Sequence, residues 1–183
     1  MSERMGSWIA AATMRAWALH AARTTVAATL ALGLASLARL PDAYWAPITT
    51  LIVMQSSLGA AWAVSKDRLI GTVLGSCFGA LLASSIAPAS LAFAIGVFVV
   101  GLLCGVLKLN LAAYRFGGVT LAVVVLVTSG QPTWLVGLHR LLEVSLGIVV
   151  GLATTALWPG DQTLAGGGRR STRTRSPGHR EQR

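Results

Sequence analysis

Apolar residues gather in six segments, at 24–40, 44–61, 69–87, 90–107, 111–129 and 135–158, each close to the length that crosses a bilayer. A helix needs roughly 20 apolar residues to span a hydrocarbon core about 30 Å thick. The interruptions have local causes. Pro41-Asp42 cannot continue a helix, Lys66-Asp67-Arg68 reads as a charged turn, Pro88 breaks the chain and Gly130-Gln131-Pro132 turns it. Pro47 falls in a first helical turn, where proline is tolerated. Ahead of the first segment, 7–22 with Trp8, Arg15, Trp17 and His20 reads as an interfacial lead-in helix. The pattern predicts an all-α integral membrane fold with six transmembrane helices. Residues 1–23 form a cytoplasmic or interfacial lead-in, 24–158 the six-helix membrane domain and 159–183 a tail.

The two halves of this domain resemble each other. Arg68-Leu69-x4-Leu74-Gly75-x3-Gly79 returns as Arg140-Leu141-x4-Leu146-Gly147-x3-Gly151 at a shift of 72, and Ala43-Tyr44 returns as Ala113-Tyr114 at a shift of 70. Two three-helix units follow. Three is odd, so the second enters the membrane inverted, the arrangement many secondary transporters use for alternating access.

Composition agrees with a lipid environment: 54% of the 183 residues are hydrophobic and 11% charged, where a soluble domain carries about 25% charged residues. The net charge of +9 first suggests nucleic acid. Six of the basic residues, however, are the arginines at 169, 170, 173, 175, 180 and 183, in a stretch opened by three glycines and without interleaved aromatics. This reads as a disordered cytoplasmic tail attracted to anionic lipid, with no nucleic-acid partner. Placing the N-terminus inside leaves only Arg39 and Arg140 on the outer side, so both termini are expected in the cytoplasm. Cys77 and Cys104 lie in apolar runs and read as buried free thiols. No Cys or His stands at ligand spacing from another, so neither metal nor cofactor is expected.

Ionisable groups inside a span cost several kcal/mol unless paired or hydrated. Arg140 and Glu143, three residues apart, share a helix face. Either Arg140 attracts an anionic substrate while Glu143 carries a coupling proton, or the pair neutralises itself near the outer surface. Gln55, Ser56 and Ser57 interrupt the second segment and either line a polar pathway or bond neighbouring helices. Arg68 and Arg115, at the inner face, either guide anions or anchor the topology. Tyr44, Trp45, Trp62, Tyr114, Trp134 and Trp158 read as an aromatic belt. Gly71, Gly75, Gly79, Gly101, Gly105, Gly147 and Gly151 stack at four-residue spacing as packing seams, within the chain or across a homodimer. No catalytic triad, carboxylate pair or phosphate-binding loop is present, so an enzyme is not expected.

The run Pro41-Asp42-Ala43-Tyr44-Trp45-Ala46-Pro47-Ile48-Thr49, with Arg68-x2-Gly71-Thr72-x2-Gly75-x3-Gly79, resembles the fusaric acid resistance protein-like family, related to bacterial aromatic acid exporters. Tyr114-Arg115-Phe116 and Arg140-x2-Glu143-x3-Gly147 also resemble its six-helix membrane unit. The resemblance implies a bacterial inner-membrane permease unit that exports aromatic carboxylic acids or related small organic anions, driven by protons and assembled from at least two such units. Many relatives carry a second membrane unit or a cytoplasmic domain after the sixth helix, where this sequence has its arginine-rich stretch. The expectation is therefore a homo-oligomer or a paired permease subunit in contact with membrane lipid. Two other classes remain: a non-transporting membrane scaffold and an anion channel.

Overall fold

The computed structural model describes residues 2–55, 57–127 and 131–158, with side chains from 13 onward. Among these residues the fold is all helical: α1 Ser2–Leu37, α2 Trp45–Val53, α3 Leu58–Ser85, α4 Ala89–Val106, α5 Leu111–Ala122 and α6 Thr133–Leu157. A π-helical turn, Val123–Val127, continues α5. Four helices are long and apolar enough to cross a membrane, over Thr13–Leu37, Leu58–Ser85, Ala89–Val106 and Thr133–Leu157, and Leu111–Val127 is a shorter apolar helix. Leu30, Leu34, Phe98, Leu102, Val149 and Leu157 are exposed on their outer faces, as a lipid solvent allows. The tail from 159 onward, Ser56 and the turn at Gly130 lie outside the described residues.

The lead-in helix, read as joined to the first segment, is continuous with it, because the Ala-rich stretch around Arg23 holds no breaker. Two expectations are corrected. The segment 44–61 is not one helix: α2 closes after nine residues and Leu58–Ala61 open α3. Its polar interruption supplies both ends. Gln55 Nε2 donates to the Ile52 carbonyl, and the Ser57 hydroxyl accepts from the Ala60 N–H as an N-cap. Lys66-Asp67-Arg68 is no turn but lies inside α3. Asp67 accepts from Asn110, Arg68 has neutral partners on α2 and α5, and Lys66 is exposed, so the helix continues through all three.

Helix ends and packing match between the halves. α1 ends with Arg39 at φ 53° and the Leu40 N–H on the Ala35 carbonyl; α4 ends with Lys108 at φ 51° and the Leu109 N–H on the Cys104 carbonyl. These are the same left-handed cap, at a shift of 69. α2 stops at Val53, and α5 turns π-helical at Val123, 70 residues on. The middle helices are exchanged: α2 packs on α6 and α5 on α3, while α3 packs on α6, α1 on α2 and α6, and α4 on α5 and α3. Ala61 and Val64 cluster with Ile148 and Leu152, and the Ser76 hydroxyl donates to the Gly137 carbonyl. α3 and α6 therefore run antiparallel.

The broken end of α2 is held by Arg23. This buried residue donates from Nη1 to the Trp158 carbonyl and from Nη2 to the Gln55 carbonyl, both at 2.8 Å. It joins α1 to the ends of α2 and α6 by satisfying carbonyls that a helix terminus leaves free. Arg23→Leu should cost about 1–3 kcal/mol, read as a lower melting temperature of the purified protein in detergent. A melting temperature equal to the parent's would show that the carbonyls find other donors.

Candidate anion site

α6 carries Arg140 two turns from its N-terminus, 3% exposed. Its Nη2 donates to Asp42 Oδ2 at 2.9 Å and its Nη1 to Glu143 Oε2 at 3.3 Å. Glu143 is fully buried and also accepts from the Asp42 backbone N–H at 3.1 Å. The Asp42 side chain is 40% exposed, so one carboxylate is sealed and the other faces outward. The guanidinium lies 4.3 Å from the centroid of a Trp45 ring, a cation–π contact. The Trp45 indole N–H is enclosed and makes no hydrogen bond. Beside this cluster is a cavity of about 200 Å³ whose lining includes Arg140, Asp42, Tyr44, His139, Val123 and Val127.

α2 reaches this cluster because α6 is thin where they cross. A Cβ on Gly147 would collide with the Ala46 carbonyl and lie 2.7 Å from Thr49 Cβ, and one on Gly151 would lie 3.0 Å from Val53 Cγ1. On the other seam, Gly75 sits against the Gly117 carbonyl and Gly71 against Ala113 and Phe116. Gly79 faces Val124 and Gly101 faces Tyr114, whereas Gly105, expected on a seam, faces open space. Cys104 is buried, but Cys77 is exposed on the outer face rather than enclosed.

The other candidates separate. Arg68 is 5% exposed inside the bundle. Its Nε and Nη2 donate to Thr49 Oγ1 at 3.4 and 3.2 Å, and its guanidinium lies 4.8 Å from the Phe116 ring centroid. Gln55 is half-buried and belongs with Arg23 at the α2 break. Arg115 is exposed and joins neither cluster. Sequence reasoning missed Asp42, taken for a helix breaker, and Trp45, taken for a belt aromatic. The one available signal was their place in the motif Pro41-Asp42-Ala43-Tyr44-Trp45, where an acid precedes a short apolar helix and an indole opens it.

Residues 26–154 match the profile described as fusaric acid resistance protein-like. The chain belongs to this family. Among relatives, it is 32% identical over 149 residues to the inner membrane protein YeeA of Escherichia coli, covering 77% of this chain and 41% of that protein. It is 29% identical to an uncharacterized transporter, GOX0755, of Gluconobacter oxydans, covering 76% of this chain and 21% of that one. It is also 29% identical to the uncharacterized transporter YdhK of Escherichia coli, covering 76% and 22%. This family member thus spans less than half the length of each of these relatives. No solved structure matches it. Family membership and the apolar helices make it a multi-pass membrane protein.

Proposed function

We propose that the chain is the membrane unit of a proton-coupled exporter of aromatic carboxylic acids or related small organic anions. The observation that carries this reading is the enclosed Arg140 on a cavity wall with one sealed and one outward carboxylate. A buried ion pair is a poor stabiliser compared with apolar packing, and an ionisable group kept within a membrane bundle points to a pathway. A substrate carboxylate can take the place of Asp42 on Arg140 in the bidentate geometry a guanidinium favours. The valines at 123, 127 and 136 give the cavity an apolar side that suits a ring.

Charge fixes the sign of coupling. With Asp42 and Glu143 both ionised, the cluster around Arg140 carries a net negative charge and repels an anion. A proton on Glu143 cancels that excess, so proton and anion load together and leave together, an outward step that runs when the anion's own gradient exceeds the opposing proton gradient. Relatives named as transporters support the class. The repeated sequence, the matched caps and the exchanged middle helices support two inverted three-helix units. In this reading α2 and α5, interrupted at matching positions, are the discontinuous helices found where transporters build their sites. The inner membrane, with both termini in the cytoplasm, is the proposed location, and a homo-oligomer or a paired permease subunit the proposed assembly.

The test is efflux of labelled 4-hydroxybenzoate from proteoliposomes holding the purified chain. Saturable efflux that quickens when the lumen is acidified is the expected result. Saturable efflux indifferent to the proton gradient would remove the coupling, and non-saturable flux following only the anion gradient would indicate a channel. No flux from folded protein would move the reading to a scaffold or a partner-dependent subunit.

A further inference from the structure

Resting on the reading that this chain moves small carboxylates, we propose that Arg68 is a second carboxylate-binding site, completed by Ser65, Thr49 and Phe116. Arg68 and Arg140 open the two copies of the repeated motif and stand equally far from the last residues of their helices, Ser85 and Leu157. Each lies against an aromatic ring of the other half's middle helix, Phe116 for Arg68 and Trp45 for Arg140. Their counter-charges differ. Arg140 has Glu143 and Asp42. At the equivalent positions beside Arg68, the shift of 72 places Gly71 where Glu143 stands, and the shift of 70 places Ala112 where Asp42 stands.

Arg68 is therefore a buried cation for which the described residues supply no carboxylate. A guanidinium has five N–H donors; here Nε and Nη2 share one hydroxyl, and Nη1 makes no hydrogen bond. Asp67 does not fill the gap. Both of its oxygens accept from Asn110 Nδ2, at 3.2 and 3.0 Å, and adjacent residues do not share a helix face. A second group on the face of Arg68 is also unsatisfied. Ser65, one turn earlier and 3% exposed, has a buried hydroxyl without a partner. Such a group costs about 1–3 kcal/mol when left so. One bound carboxylate would answer both: its oxygens accept from Nη1 and Nη2 of Arg68 and from the Ser65 hydroxyl, with the Phe116 ring beside them.

The experiment is equilibrium binding of labelled 4-hydroxybenzoate to the purified chain in nanodiscs of zwitterionic lipid. Two molecules should bind per chain; Arg68→Gln should weaken one of the two about 30-fold, Arg68→Lys distinctly less, and Ser65→Ala about threefold, leaving the one at Arg140 in place. Should Arg68→Gln fail to fold by size-exclusion chromatography, Ser65→Ala and Phe116→Leu carry the test, because neither strands a charge. Unchanged binding in every folded variant overturns the Arg68 site. If the parent chain still shows saturable flux, the transporter reading survives that result; a parent chain with neither binding nor flux sinks both. Loss of binding on adding phosphatidylglycerol to the discs would make a lipid phosphate the occupant and overturn the assignment to a small carboxylate.

Discussion

Glu143→Gln should abolish the response of efflux to a proton gradient while the protein stays folded in the membrane. Glutamine keeps the volume of glutamate and an oxygen for the Asp42 N–H that now reaches Glu143 at 3.1 Å. Arg140 retains Asp42 at 2.9 Å, so its charge is not stranded. What disappears is the site for the proton. With Glu143 no longer able to take up a proton, the linkage between pH and anion loading through it vanishes, and the ratio of efflux from acid and neutral lumens should fall to about 1. The variant imitates the protonated cluster, so binding of 4-hydroxybenzoate should persist and become independent of pH. Efflux that still quickens with lumen acidity would remove Glu143 from the coupling step and point to Asp42 or His139, which line the cavity.

Much of this site was legible in the sequence because charge inside apolar segments is rare. Arg140, Glu143 and Arg68 stand out against their surroundings, and the repeat that relates the two arginines can be read by eye. Their partners could not be read the same way. Asp42 precedes α2 and meets Arg140 only because α2 packs on the opposite half's α6, a pairing that no local pattern encodes. Trp45 looks like every other aromatic near a segment end, and Ser65 and Thr49 are small polar residues that interhelical packing uses freely. The break in α2 was misplaced for a related reason. Hydropathy averages over Gln55 and Ser57, whereas the chain uses both to end one helix and start the next. Arg23 read as one more cytoplasmic charge, since its carbonyl partners arise only at helix ends brought together by the fold.

The largest structural effect should come from Gly75→Leu. In lipid no hydrophobic drive brings helices together, so close approach and dispersion carry the packing. A Cβ at Gly75 would collide with the Gly117 carbonyl and stand 2.8 Å from Thr120 Cβ. These obstacles are backbone and a short side chain on an equally close-packed helix, so neither can swing aside. Forcing a larger side chain into such a contact costs about 1–3 kcal/mol or more, expected as a melting temperature lower by about 10 °C or loss of the folded peak in size-exclusion chromatography. Gly33→Leu is the control. Gly33 is also helical but has no atom within 4 Å of a built Cβ, so leucine there should be neutral or slightly stabilising through helix propensity. Equal melting temperatures for the two variants would refute the seam. The seam and the anion site are also one device: the same close approach of α5 that Gly75 and Gly71 permit brings Phe116 against Arg68, and Gly147 does likewise for Thr49. Gly147→Ala, a milder version of the same collision, should therefore weaken carboxylate binding at Arg68 although position 147 carries no group that a ligand could touch.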